Sequence, residues 1–274
     1  MEYKASIIIS VYDKTKSLKV VLDSLKLQTE KDFEIIISED GCHDRMKEFI
    51  RNYKFEHDYL HLTQEDIGWR KNKALNNAIR HARSNWLIFI DGDCVLHRRF
   101  VEMHLRYASD NTILSGRRVK LDKPTSTCLK KNSPGYIKKL QCILNKKLFW
   151  GKGKIEYIEE GYFISPTGML GFIPKLRKIK YIIGCNMSFS KQAIYVINGF
   201  DESYTLPGVG EDIDLYWRFK ATGFQFKSLR SLAIQYHLWH KENYTNAHKN
   251  KDKMRLKQEE NKYFCDNGLI KTSR

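Results

Sequence analysis

The sequence predicts an α/β fold in which a mostly parallel sheet is covered by helices on both faces. Three observations carry that expectation. Short β-branched runs alternate with stretches whose apolar residues recur at helical spacing. Turns bearing acids follow several of those runs, all at one edge of the expected sheet. The 274 residues suit one such domain with a large core, or one domain with an insertion, better than two equal domains.

The elements follow in order. Ser6-Ile7-Ile8-Ile9-Ser10-Val11 is a β-branched run read as the first strand, and Leu18, Val21, Leu22 and Leu25 then mark a helix. Phe33 to Ser38 is the second strand, with a helix from about Asp44 to Tyr53. Tyr59 to Leu62 is the third strand. From Trp69 to His81 the pattern is helical, with Ala74, Leu75, Ala78 and Ile79 on one face. Trp86 to Ile90 is the fourth strand and Phe100 to Tyr107 the next helix. After a basic stretch, order returns at Tyr181 to Phe189, and a glycine-rich bend at Gly208 to Gly210 leads into a helix through Arg218. This divides the chain into a first half (1–116), a basic insertion (117–180), a second half (181–240) and a helical tail (241–274).

In a parallel sheet, ligands bind beyond the carboxyl ends of the strands. Tyr12-Asp13, Glu39-Asp40-Gly41 and Asp91-Gly92-Asp93 all fall at that edge. The last is the most informative. Two carboxylates flanking a glycine offer hard oxygen ligands to a divalent cation, with no Cβ to obstruct a diphosphate. A solvated Asp-Gly turn explains any one of the three taken alone, but not so readily all three on one edge. Glu211-Asp212-Ile213-Asp214 places three carboxylates at a helix start, where negative charge is favoured and general-base chemistry is possible. His237 and His240 share one helical face or one turn, so either imidazole could complete a Mn²⁺ site.

The net charge is +16, and its distribution is uneven. Between Arg117 and Lys180 there are sixteen Lys and Arg against four acids, with Tyr136, Ile137, Leu140, Phe149, Trp150 and Phe172 among them. A basic stretch interleaved with apolar groups fits an anionic membrane surface, an acidic polymer or a lipid-linked diphosphate. Nucleic acid or another anionic polymer is the alternative partner, but no helix-turn-helix, zinc-finger or RNP-type pattern accompanies the charge. Six scattered cysteines without CxxC spacing argue against a zinc site or a disulfide scaffold. No signal-like N-terminus and no long apolar run is present, so a cytosolic protein is expected, peripheral at the inner face of the membrane if the basic segment touches lipid.

Taken in order, the motifs SIIISVYD, IIISEDG, EDIGWRKNKALNNAI, LIFIDGD, GCNMSFSKQ, NGFDE, GEDIDLYWRF and YHLWH resemble the family-2 glycosyltransferases with the GT-A fold. The later motifs are similar to the galactosyltransferase-type C-terminal module of bacterial chondroitin-type polymerases. The resemblance runs from about Ser6 to His240. It implies a UDP-sugar donor, a glycan or lipid-linked acceptor, and Mn²⁺ or Mg²⁺. It further implies that Ser10, Val11 and Tyr12 line the base, that Glu39 and Asp40 meet uracil and ribose, and that Trp69, Arg70 and Asn72 border the donor, with Arg70 near phosphate. Asp93 and His237 would hold the metal, with His240 as the alternative ligand, and Asp91 would face the ribose or a metal-bound water. Asp212 would be the catalytic base of an inverting transfer, and Glu211 and Asn186 would bind sugar.

Overall fold

The computed structural model describes residues 2–150, 154–241 and 248–271, the side chains of Phe149 and Trp150 excepted, so what was expected of those two rings lies outside the described residues. The first half runs β1 (Ala5–Val11), α1 (Thr15–Lys26), β2 (Phe33–Glu39), α2 (Asp44–Asn52), β3 (Tyr59–Leu62), α3 (Lys71–His81), β4 (Trp86–Asp91), β5 (Cys94–Leu96) and α4 (Phe100–Arg106). Then come β6 (Thr112–Ser115), β7 (Val119–Lys120), α5 (Lys123–Lys131), α6 (Ser133–Trp150) and α7 (Ile173–Leu176). The chain continues through β8 (Met187–Ser190), α8 (Lys191–Val196), α9 (Asp212–Ala221), β9 (Gln225–Ser228), β10 (Gln235–His237) and α10 (His248–Glu259).

A seven-stranded sheet has the order β3-β2-β1-β4-β8-β6-β9, and a three-stranded one the order β5-β10-β7. In the large sheet β8 pairs antiparallel with both β4 and β6, while the other pairings are parallel. Ser10 lies opposite both Ser38 and Asp91, which levels the ends of β1, β2 and β4. That register gathers the acid-bearing turns at one edge.

Strand alternation explains the two covered faces. Ile7, Ile9, Ile35, Ile37, Ile88 and Ile90 pack with Leu18, Val21, Leu22 and Leu25 of α1. Ile8, Ile36, Leu87 and Phe89 turn to the other side against Leu75, Ala78 and Ile79 of α3 and Leu215 and Phe219 of α9. Two boundaries move from the predicted ones. Helix α3 begins at Lys71, leaving Trp69 and Arg70 in the preceding loop, and β8 begins only at Met187. Residues 181–186 turn instead: the Asn186 amide donates to Ile183 O at 3.0 Å, and the Ile183 amide donates to Ser115 Oγ at 3.2 Å.

The basic segment is folded against the body. Leu129, Leu140 and Leu144 of α5 and α6 are buried with Val95, Val119 and Tyr236 of the small sheet. Dense lysine masks this apolar stripe in the sequence. Residues 248–271 also return to the core, where Leu269 packs and Asn198 Nδ2 donates to Cys265 O at 2.6 Å. No helix among the described residues is long and apolar enough to cross a membrane.

Helix α9 is pinned by a buried pair. Asp214 accepts from Arg218 Nε at 2.7 Å, Tyr204 Oη at 3.0 Å and Trp217 Nε1 at 3.0 Å, and neither Asp214 nor Arg218 is more than 1 % exposed. Arg218 Nη1 also donates to the carbonyls of Ile197 and Gly199. Asp214→Ala strands a buried guanidinium, so it is expected to cost about 3–5 kcal/mol. Chemical denaturation checks this, and unchanged stability would mean that the pair does not anchor the helix.

Candidate active site

Strand β4 delivers Asp91, the chain turns at Gly92, and Asp93 leads into β5. The Gly92 amide donates to Ser10 O at 2.8 Å, and a Cβ there would come within 2.7 Å of Val11 Cγ1. The glycine is thus required by packing against the end of β1, not only by room for a ligand as the sequence suggested. Asp93 Oδ1 lies 3.5 Å from His237 Nε2, and Oδ2 lies 3.3 Å from His240 Nε2 and 3.6 Å from Lys14 Nζ. His237 ends β10, and the two imidazole centroids are 5.0 Å apart at the exit of a strand, not on a helix.

The electrostatics of this group suit a cation. Burial alone would raise the Asp93 pKa, but the His240 hydrogen bond and the charges of His237 and Lys14 hold it well below the usual carboxylate range. Burial brings the His237 imidazole down to about 4, against the pull of Asp93, so its ring is neutral near pH 7. His240 is raised, chiefly by its hydrogen bond to Asp93. One ionised carboxylate and two imidazoles, their donor atoms within 4.8 Å of one another, form a donor set that fits a divalent cation. A second group, Asp91 with Cys94 and Cys185, also has its donor atoms within 4.8 Å of one another. Burial pushes the Cys94 thiol well up, so it stays protonated and is the poorer place for a cation.

Lys71 is one residue that sequence reading missed. Its ammonium lies 2.9 Å from Asp91 Oδ1 and 2.7 Å from Glu211 Oε1, bridging the end of β4 to the start of α9. Arg70, expected near phosphate, instead donates through Nη2 to Glu65 O at 2.8 Å. A signal for Lys71 did exist: a cation at the first helical position opposes the helix dipole and calls for local carboxylates. Burial pushes Glu211 up to about 7, with the charges of Asp91 and Asp212 adding to it and Lys71 opposing. Two carboxylates pair with one ammonium and the charge of Asp212 lies close by, so the excess negative charge favours holding a proton.

Asp212 is half-buried beside this bridge. Its Oδ2 accepts from the Gly184 amide at 3.0 Å and its Oδ1 from the Ile213 amide at 2.8 Å. Burial raises its pKa, with those two amides and Lys71 opposing. A Cβ on Gly184 would come within 2.2 Å of Glu211 Oε1, so the bare backbone there lets residue 184 approach the Glu211-Asp212 pair.

A cleft of about 1110 Å³ is lined by Ser10, Val11, Tyr12, Asp40, Trp69, Lys71, Asp91, Asp93, Arg118, Lys120, His237 and His240; Glu211 and Asp212 are not among its lining residues, and Glu211 reaches it only through its ion pair with Lys71. Arg118 and Lys120 come from the basic segment, so the division expected at residue 117 does not separate that segment from the site. Tyr12 Oη donates to Asp66 Oδ2 at 2.9 Å, and its ring packs edge-on to His43.

Three expected contact residues lie behind the walls. Glu39 is fully buried and accepts from His43 N at 2.8 Å and pairs with His61 Nε2 at 2.7 Å. Asn72 Nδ2 donates to the carbonyls of Asp201 and Gly210, and Asn186 Nδ2 to those of Arg117 and Ala233. The structure does not bring these side chains into the cleft; they fix the loops that form it. Asp40 is at the cleft, but its carboxylate accepts from Gln64 Nε2 at 2.6 Å and the Arg70 amide at 2.9 Å.

Comparison with known proteins bears on the family and the fold. The sequence profile of glycosyl transferase family 2 matches residues 6–194, and that of the N-terminal domain of galactosyltransferase matches residues 174–241. Chondroitin synthase of Escherichia coli is 27% identical over 240 residues, 85% of this chain and 34% of that protein. Validoxylamine A glucosyltransferase of Streptomyces hygroscopicus subsp. jinggangensis is 26% identical over 227 residues, 80% of this chain and 51% of that protein. The chain therefore spans between a third and about half of these relatives' length. The solved structure of S. aureus TarS 1-349 in complex with UDP-GlcNAc is similar with a TM-score of 0.59 and 15% identity, covering 93% of this chain and 65% of that one. The mannosyltransferase PcManGT from Pyrobaculum calidifontis, in complex with GDP-Man and Mn²⁺, gives 0.56 and 14%, covering 89% and 59%. These likenesses show the GT-A fold expected from the sequence.

Proposed function

The chain belongs to glycosyl transferase family 2, and from that premise we propose a metal-dependent, inverting sugar transfer from a UDP-sugar to a glycan or lipid-linked acceptor. A hexose or N-acetylhexosamine of galactose type is the favoured donor sugar, in keeping with the galactosyltransferase profile over residues 174–241. One observation carries the reading. Lys71, a lining residue of the cleft, joins Asp91 of the metal-side turn to Glu211 of the base-side turn, so one ammonium links the two acidic motifs that the chemistry needs.

Asp93, His237 and His240 would hold Mn²⁺ or Mg²⁺. The bound ion would supply Lewis-acid stabilisation of the departing diphosphate. Ser10, Val11, Tyr12, Asp40 and Trp69 would border the nucleoside. Asp212 would take the proton from the acceptor hydroxyl as its oxygen attacks the anomeric carbon, and the bond to UDP breaks on the opposite face. Inversion follows from that single displacement. A screen of UDP- and GDP-sugars by nucleotide release tests the reading. UDP release that requires Mn²⁺ or Mg²⁺ and yields the inverted anomer is expected; release from GDP-sugars alone, or a retained anomer, would reject it.

We further propose a peripheral contact with anionic membrane through residues 169–180. Met169, Leu170, Phe172 and Leu176 are exposed there, Met169 by 92%, beside the exposed Lys175, Lys178 and Lys180. Such lysines contribute about 1 kcal/mol each near an anionic surface. Replacing all three with Gln is expected to weaken sedimentation with anionic vesicles by about 100-fold at low salt. Equal binding to neutral vesicles would remove the membrane from this account.

A further inference from the structure

Beside the catalytic cleft lies a second hollow, of about 460 Å³, which shares Asp13, Lys14, His240 and Lys241 with the cleft rim. Its other walls come from elements distant in sequence: Lys16 at the start of α1, Arg45 at the start of α2, Lys123 and Lys130 on α5, and Trp239 after β10. Asp13 is the single carboxylate among its lining residues. Lys14 is paired with Asp93 at 3.6 Å, and among the described residues no carboxylate pairs with Lys16, Arg45, Lys123 or Lys130.

Several like charges gathered in one concavity repel each other and focus a positive potential, an arrangement that an anion relieves. Trp239 adds a second requirement. The residue is 43% exposed, its backbone amide donates to Ser126 Oγ at 2.8 Å, and the Lys123 ammonium lies over the ring, 5.1 Å from its centroid. A part-exposed indole with an ammonium over one face and further cations around it fits a ring that has apolar C–H faces and an anionic substituent. The volume is in the range of small-ligand sites. A bilayer would need an exposed apolar surface, and among the described residues Trp239 is the one large apolar side chain that lines this hollow.

We propose that this hollow is the acceptor subsite for an anionic sugar residue, a uronate or a phosphorylated sugar, whose neighbouring residue presents its hydroxyl in the cleft. The assignment rests on the sugar-transfer reading above and adds the acceptor's charge class. Carboxylate or phosphate would meet Arg45, Lys123 and Lys130, and the sugar ring would lie on Trp239.

The test is isothermal titration of the full chain, in the presence of Mn²⁺ and UDP, with three neutral-backbone tetrasaccharides: one containing hexuronate, its carboxyl-reduced counterpart, and one carrying a phosphomonoester. Binding of one or both anionic probes, at least tenfold tighter than the reduced one, is expected. Arg45→Gln/Lys123→Gln is expected to weaken that binding by about tenfold, the scale of two partly exposed ion pairs. UDP affinity and slow donor hydrolysis in the same variant should be unchanged. Equal binding of the reduced tetrasaccharide, binding of no anionic probe, or wild-type affinity in the double variant would each overturn the proposal. Loss of UDP binding by the wild-type protein would instead strike the sugar-transfer reading, so the two failures are distinguishable.

Discussion

Asp93→Asn is expected to abolish metal-dependent transfer while leaving the fold intact. The substitution keeps side-chain volume and removes the one charge placed within 3.6 Å of His237, His240 and Lys14. Loss of an outer-shell partner already costs about 10–100-fold in metal affinity, and loss of a direct carboxylate ligand should exceed that. Titration of Mn²⁺ with circular dichroism as the folding control measures both quantities. His237→Ala should weaken Mn²⁺ more than His240→Ala, because His237 is neutral near pH 7 and needs no deprotonation, whereas the raised His240 must release a proton. Mn²⁺ affinity should accordingly fall as the pH drops through the His240 pKa. Wild-type Mn²⁺ dependence in Asp93→Asn would move the metal elsewhere.

Asp212→Asn should lower kcat by about 10²-fold or more, the scale of general-base catalysis, with UDP affinity nearly unchanged. Asn retains an oxygen for the Gly184 or Ile213 amide, so the loop keeps its position while the proton acceptor is lost. The base works ionised, so the rate falls as the pH drops through its pKa. Because burial raises Asp212, and Glu211 is pushed up to about 7, the acid limb should lie above the usual carboxylate range. That limb should disappear in Asp212→Asn. A variant that keeps turnover and loses UDP binding would place Asp212 on the donor side.

What could be read in the sequence and what could not divides along physical lines. The β-branched runs and the α3 face of Ala74, Leu75, Ala78 and Ile79 were legible because period alone determines which residues are covered. The juxtaposition of Asp93 with His237 could be anticipated only from the motif order, since pairing of β5 with β10 joins segments far apart in the chain. Lys71 and Arg118 were not assigned. Lys71 gains its meaning from Glu211, far along the chain, and Arg118 was hidden among the cations of a basic stretch. Glu39, Asn72 and Asn186 illustrate the converse. A motif identifies residues that a site requires without saying whether they touch the ligand or hold the loop that does.

The most direct measurement is the melting temperature of the wild-type protein with UDP, with Mn²⁺, and with both. A ligand at 100 times its dissociation constant stabilises the native state by about 2.7 kcal/mol. The account predicts a clear rise only when UDP and Mn²⁺ are present together, lost in Asp93→Asn. No rise, or an equal rise with UDP in the presence of a metal chelator, would contradict it.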